Sequence, residues 1–491
     1  MPSSSPPPIL VWFRDDLRLS DHPALHAAAK TGAPLVCLYA LDEESDALKP
    51  PNARPLGGAA RWWLAQSLRA LRNSLEALGG TLVLRRGAAA KIIAPLARET
   101  GAQAVFWNEI AQVPQQAVAD QVTKVLDAIG VTVQTFAGDL LVMPDSIRNK
   151  ENRGLRVFTP FWRRVQQLGD PPKPLPAPKK LNAASPVAGD ALEAWRLEPT
   201  HPDWAQGLRE SWRPGEASAQ AALKTFLEHA IDGYAGGRDR PDRDGTSRLS
   251  PHLRFGEIGP RQVWHAARFA AAERPAIAAD VDKFLSELGW REFCRHLLFD
   301  VPDLASRNLQ PSFDAFSWRQ DDRALRAWQQ GRTGYPIVDA GMRELWRTGV
   351  MHNRVRMVVA SFLVKHLLID WREGERWFWD TLVDADPGSN PANWQWVAGC
   401  GADAAPYFRV FNPTLQGEKF DPNGGYIRRW VPELARLPNA LIHQPWMAAP
   451  LELASAGAEP GQTYPPPIVD HKAGRARALA AHAAMRKATF A

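Results

Sequence analysis

The chain of 491 residues has only three cysteines, Cys37, Cys294 and Cys400, far apart and with no C-x-x-C among them. That excludes a disulfide framework, leaves too few thiolates for a four-cysteine zinc or iron–sulfur site, and fits a reducing cytosol. No run of about 20 apolar residues is present, so no segment is expected to span a membrane. The start, from Met1 to Pro8, lacks a basic n-region, and the apolar run that follows is too short for a signal peptide. A cytoplasmic protein is expected. Neither G-x-G-x-x-G nor G-x-x-x-x-G-K-[ST] follows the first apolar run, so the commonest nucleotide fingerprints do not apply. Tyrosine is scarce, with six residues, and lysine supplies only 14 of the 59 basic side chains.

What is abundant is arginine, at 45 residues, and tryptophan, at 20. A net charge of +6 carried by Arg leans toward nucleic acid or a phosphorylated cofactor, because guanidinium forks onto phosphate and stacks on rings. Coding bias toward Arg and Ala accounts for the same composition. Indole is hard to bury completely and its N–H wants a partner, so an excess of Trp is unusual for plain core. Stacking on bases is one other use of indole. Giving up an electron to a cofactor is another.

The two halves differ in pattern. Residues 9–136 alternate short β-branched runs (9–13, 35–41, 81–84, 104–107 and 131–136) with amphipathic helical stretches at 59–78, 88–100 and 115–129. Leu64, Leu68, Leu71, Leu75 and Leu78 make one apolar helical face. This alternation predicts a doubly wound parallel sheet over 1–136, α/β in class and Rossmann-like. Residues 137–205 are expected to be a linker, with five prolines in the eight positions 171–178. From 206 to 491 helical patterns dominate, at 217–231, 281–298, 321–330, 337–346 and 354–369, so the second domain is expected to be all-α.

Three clusters carry chemistry. Thr246, Ser247 and Ser250 precede Pro251, which predicts a helix N-terminus able to receive a pyrophosphate with Arg248, or a plain capped helix. Glu287, Trp290, Arg291 and Cys294 share a helical face at i, i+3, i+4 and i+7. The densest cluster runs from 334 to 413. There Asn353, Arg354 and Met357 share a helix side, and Arg356 enters an apolar stretch and needs an anion. Asp384 and Asp386 are offered by the loop that follows. Trp394 and Trp396 would share a face on a strand and diverge on a helix.

The segments TSRLSPHL, ELGWREF, GYPIVDAGMREL, MHNRVRM, DWREGE, SNPANWQW and GADAAPYFRVFNP, with the opening VWFRDDLRLSDHPAL, resemble the photolyase/cryptochrome family over essentially the whole chain. The resemblance is nearest to class I cyclobutane pyrimidine dimer photolyases. It implies an α/β antenna domain, a linker and a helical domain holding FAD. Light-excited reduced flavin then lends an electron to a pyrimidine dimer in damaged DNA, and a monomer is expected. Tyr234, Thr246, Ser247, Arg248, Leu249 and Ser250 resemble the FAD phosphate and ribose contacts. Arg356, Asp384, Ala385 and Asp386 resemble the set around the isoalloxazine, and Asn390 the residue facing flavin N5. Trp394, Trp371 and Trp318 match the three-tryptophan relay. Trp290 and Trp396 match the walls of the lesion pocket. Glu287, Arg291 and Asn353 match flavin and lesion contacts, Arg354, Met357 and Gln416 lesion or strand contacts, and Arg238 a phosphate contact.

Within that resemblance the rival is a cryptochrome, a flavin photoreceptor without repair. Repair is favoured by Asn390, where plant-type receptors carry Asp, and by Met357, where (6-4) photolyases and animal-type cryptochromes carry His. The absence of a long polar tail points the same way. The antenna is open between methenyltetrahydrofolate, a deazaflavin and none. The folate pattern expects a carboxylate a few residues after Asn108, and Gln112 stands there.

Overall fold

The β-branched runs form strands at or within two residues of their expected bounds: β1 (Ile9–Phe13), β2 (Leu35–Leu41), β3 (Leu82–Arg86), β4 (Ala104–Asn108) and β5 (Thr132–Phe136). The computed structural model describes residues 6–50, 53–404, 408–458 and 461–490. They fall into two compact units, 1–232 with 247–303, and 233–246 with 304–491.

In the first unit the strands form one parallel sheet in the order β3-β2-β1-β4-β5. β1 is central and buried at all five positions, as a parallel strand covered on both faces must be. The helix Gly58–Ala77 buries Leu64, Leu68, Leu71 and Leu75, the predicted stripe. Each such side chain contributes roughly 1.5–3 kcal/mol by leaving water. The strand order reverses between β1 and β4, where α/β sheets open a crevice at the strand ends. There Asp16 accepts from the Arg14 N–H (2.7 Å) and from Asn108 Nδ2 (2.8 Å), and Asn108 Oδ1 accepts from the Ala24 N–H (3.0 Å).

Three expectations change. The stretch read as linker holds a helix, Phe158–Gln167, whose Phe161 and Val165 are buried. The helix after Thr246 and Ser247 is only the five residues Ser250–Arg254, and none of the predicted hydroxyls caps it, since its N-cap is Leu249. The helices expected at 217–231 and 354–369 each end in a π-helical segment, Phe226–Ala230 and Phe362–Leu367.

Among the described residues no strand follows β5. The second unit is helical, its core built where Pro336–Thr348, Asn353–Ser361, Trp371–Thr381 and Ser389–Ala398 close on Trp328, Trp371 and Trp394. Two of these buried indoles are satisfied: Trp328 donates to the Val359 carbonyl (3.0 Å) and Trp371 to Asn308 Oδ1 (2.9 Å). Among the described residues no helix is long and apolar enough to cross a membrane, and no group of three or more His, Cys, Asp or Glu could hold a metal.

Candidate functional site

The residues singled out by the sequence divide between the two units. In the second unit the half-buried Arg356 meets an anion. Its Nη2 bonds both oxygens of Asp384 (3.1 and 2.8 Å), and its Nε donates to the Met351 carbonyl (2.7 Å). Asp386 does something else. It accepts from the Gly388 and Ser389 N–H groups (2.8 Å each) and so closes the open start of Ser389–Ala398. Between the two carboxylates Ala385 is buried.

Ser389–Ala398 carries Asn390, Trp394 and Trp396. Being a helix, it sends the two tryptophans apart, with Trp394 buried and Trp396 half-buried. Trp396 is tied by its Nε1 to the Asp403 carbonyl (2.9 Å). The Asn390 amide donates to the carbonyl and to Oε1 of Glu375 (3.0 and 2.8 Å). Glu375 is 1% exposed and was not singled out from the sequence, although it stands four residues after Trp371 on the same helix. A second unanticipated residue is Lys365, whose Nζ donates to the Ala398 carbonyl (2.6 Å) and lies over the Phe408 ring. It caps the far end of the helix, and burial pushes its ammonium pKa well down.

Trp394 and Trp371 are fully buried and Trp318 is half-buried, a grade from core toward surface. Trp394 meets Phe378 edge-on (5.0 Å between centroids) and Trp328 likewise (6.1 Å). Its six-membered ring lies where a side chain on Gly374 would begin. Gly374→Ala is therefore expected to destabilise the protein by about 1–3 kcal/mol through overpacking. Unchanged thermal unfolding would show that the ring has room to move. Trp346 is 59% exposed and stacked on Trp377 (5.9 Å, 9°).

Arg354 and Gln416 line an open groove of about 510 Å³ in the same unit, together with Arg240, Arg409, Lys419 and the rings of Phe411 and Phe420. Arg354 pairs with Asp239 (2.6 Å) and lies over Phe420 (4.3 Å), while Arg240 pairs with Asp242 (2.6 Å). Asn412 caps the helix Pro413–Phe420, which presents Gln416 and Lys419. Asn353 is exposed at the start of its helix and Met357 is half-buried. Arg238 lies over the ring of Tyr234, 5.8 Å from its centroid, and Thr246 is exposed. Residues 405–407 of the GADAAPYFRVFNP motif lie outside the described residues.

In the first unit Arg248 has a left-handed backbone (φ 53°) and sends its guanidinium over Trp212 (4.4 Å) and toward the Ser211 carbonyl (3.4 Å). Ser247 Oγ accepts from the Leu249 N–H (3.4 Å), Leu249 is buried, and Ser250 is exposed. No side chain caps the first turn, in which Pro251 has no N–H and the Leu253 N–H donates to the Leu249 carbonyl (2.9 Å). Glu287 pairs with Lys283 (2.9 Å), and Arg291 pairs with Glu292 (2.9 Å) and Asp139 (3.5 Å). Glu292 also accepts from the Leu141 N–H (2.7 Å), and burial pushes its pKa up to about 7. Trp290 is half-buried and stacks face to face on Phe158.

Comparison with known proteins adds to this geometry. A sequence profile described as DNA photolyase matches residues 9–179, and one described as the FAD binding domain of DNA photolyase matches residues 284–484. A deoxyribodipyrimidine photo-lyase of Agrobacterium fabrum is 52% identical over 483 residues, 98% of this chain and 99% of that protein. Cryptochrome-1 of Arabidopsis thaliana is 40% identical over 95% of this chain and 69% of its own length. Among solved structures, a bacterial class III photolyase from Agrobacterium tumefaciens superposes with a TM-score of 0.94 at 50% identity, covering 99% of this chain and 100% of that one.

Proposed function

Since the chain belongs to the photolyase/cryptochrome family, we propose that it is a light-driven DNA lyase that splits cyclobutane pyrimidine dimers, with FAD as its cofactor. The observation that carries the reading is the groove lined by Arg409, Lys419, the ion-paired Arg354 and Arg240, Asp239 and two phenyl rings, which sets cations beside stacking surface. Within the family, likeness to the A. tumefaciens protein supports class III in place of the class I resemblance of the motifs. In this reading residues 1–136 form the antenna domain, 137–205 the connection and 206–491 the catalytic domain of a cytoplasmic monomer.

Within the second unit the residues fit a flavin ring: the Arg356–Asp384 pair and the Asn390 amide oxygen, its nitrogen held by Glu375, offer fixed polar groups. When bound, the flavin supplies the photoexcited electron that opens the dimer. The protein's own work is to bind, orient and exclude. Drawing the damaged bases out of the helix costs a few kcal/mol, and stacking on an indole such as Trp290 returns roughly 1–3 kcal/mol per base. The two nearly cancel. Affinity then rests on cations and falls as salt rises.

The test is an oligonucleotide with one thymine dimer, incubated with protein in blue light and in darkness. Repair in light alone is expected. Repair of (6-4) products with dimers untouched would overturn the role given to Met357, and flavin photoreduction without any repair would make the protein a receptor. Trp290→Ala is expected to weaken dimer binding by about 1–3 kcal/mol, measured by titration in the dark.

A folate antenna fits less well. At the position where its carboxylate is expected, Gln112 is buried with Nε2 lacking a hydrogen-bond partner, and the Asn108 amide is already engaged. The absorption spectrum of the denatured protein separates folate, deazaflavin and no antenna.

A further inference from the structure

The helix Phe158–Gln167, in the stretch the sequence presents as a connection, is built around aromatic residues at helical spacing: Phe158, Phe161 and Trp162. Phe161 points into the core and meets Phe293 (5.4 Å) and His296 (4.9 Å). Phe158 and Trp162, one turn apart, lie nearly parallel (6.2 Å, 10°). Phe158 in turn lies flat on Trp290, with ring centroids 3.8 Å apart and planes within 6°.

This is a tighter and more eclipsed pair than two rings choose unaided, since their quadrupoles favour offset or edge-on contact at about 4.5–7 Å. Something else must hold it. Phe293 stands edge-on to both members (5.9 Å to Phe158, 5.7 Å to Trp290) and closes the side of the stack. Trp162 is fixed against Trp264 (6.0 Å), whose Nε1 donates to Asp170 (2.9 Å). Gly289, just before Trp290, leaves the space that the Trp162 ring fills, and any side chain there would overlap that ring. Both the stack and its supports therefore belong to one packed cluster.

We infer that Phe158, backed by Trp162, is a positioning residue for Trp290: it covers one indole face and fixes the ring plane, so that a single face is presented to a base. The inference rests on the proposed role of Trp290 in dimer binding. A half-exposed indole left to itself would sample several rotamers, and immobilising it on binding would cost affinity. The Phe158 stack meets that cost during folding.

The experiment measures dark affinity for a thymine-dimer oligonucleotide and its undamaged counterpart in F158L, F158Y, W290A and F158L/W290A. F158L is expected to weaken dimer binding about three- to tenfold, the range for loss of one aromatic pair, with affinity for undamaged DNA unchanged. F158Y keeps a ring and is expected to bind as the parent does. In the double variant F158L should add nothing to W290A, because it acts through that ring. An unchanged or tighter F158L, or an additive double variant, overturns the inference while a weakened W290A leaves the role of Trp290 standing. If W290A itself binds normally, that role fails and the inference falls with it. Should F158L not fold, W162L removes the outer ring of the same stack. A dimer-specific loss smaller than that of W290A supports the inference, and no loss overturns it.

Discussion

Replacing Trp394 by Phe is expected to reduce blue-light reduction of the oxidised flavin at least tenfold, while protein reduced chemically beforehand still repairs dimers. Phenylalanine fills most of the same space but gives up an electron far less readily than indole. The site is suited to show that difference alone. Trp394 is 2% exposed and held between Phe378, Trp328 and the Gly374 backbone. Trading indole for phenyl there leaves a small void, which at about 24 cal/mol per Å³ costs a modest share of the stability. The measurement is flavin absorbance under blue light with an external reductant, beside a repair assay after chemical reduction. Loss of both would make Trp394 a structural residue, and retention of both would remove it from the relay. The same pair of assays on Trp371 and Trp318 variants checks the grade from buried to half-exposed.

Removing the guanidinium of Arg356 should have the largest effect on stability. Asp384 has a side chain only 4% accessible, and in Arg356→Ala its carboxylate keeps its burial but loses the two hydrogen bonds from Nη2. Stripping one partner from a fully buried pair costs about 3–5 kcal/mol. With Arg356 26% accessible, the expected loss lies at or below the lower end of that range. That is still a sizeable part of the roughly 5–15 kcal/mol that holds a folded domain together. Arg356→Ala is therefore expected to lower the unfolding midpoint and to lose flavin on gel filtration. The double variant Arg356→Ala/Asp384→Ala should recover part of that stability, because no charge is left stranded. If the double variant unfolds as easily as the single one, the pair contributes packing and not charge compensation.

Much of the fold was legible because its signal is local. The five strands follow from β-branched runs, and the helix Gly58–Ala77 from its leucine spacing. The strand order was not legible, because β1 pairs with β4 across about 90 residues and alternation says nothing of who neighbours whom. The helix Phe158–Gln167 was hidden beside the proline run, although Phe158, Phe161, Trp162 and Val165 follow i, i+3, i+4, i+7. At the site, an arginine set in an apolar stretch called for an anion, and Asp384 supplies it, although the guanidinium is only half-buried. Asp386 precedes a helix start by three residues, which is capping chemistry, and the sequence offers no way to prefer one carboxylate over the other as the guanidinium partner. Glu375 escaped notice because its bond to Asn390 joins two helices whose approach no single stretch encodes.

The missing side chain at Gly374 lets the Trp394 ring rest on the backbone of the helix that begins at Trp371. The spacing between these two elements is thus set largely by main chain against indole, with the Leu363 side chain reaching the same spot. On the proposal that Trp394 carries electrons, tunnelling that falls off exponentially with distance would make so stiffly held a ring a constant element of the path. A single methyl group added at position 374 would meet that ring and shift it.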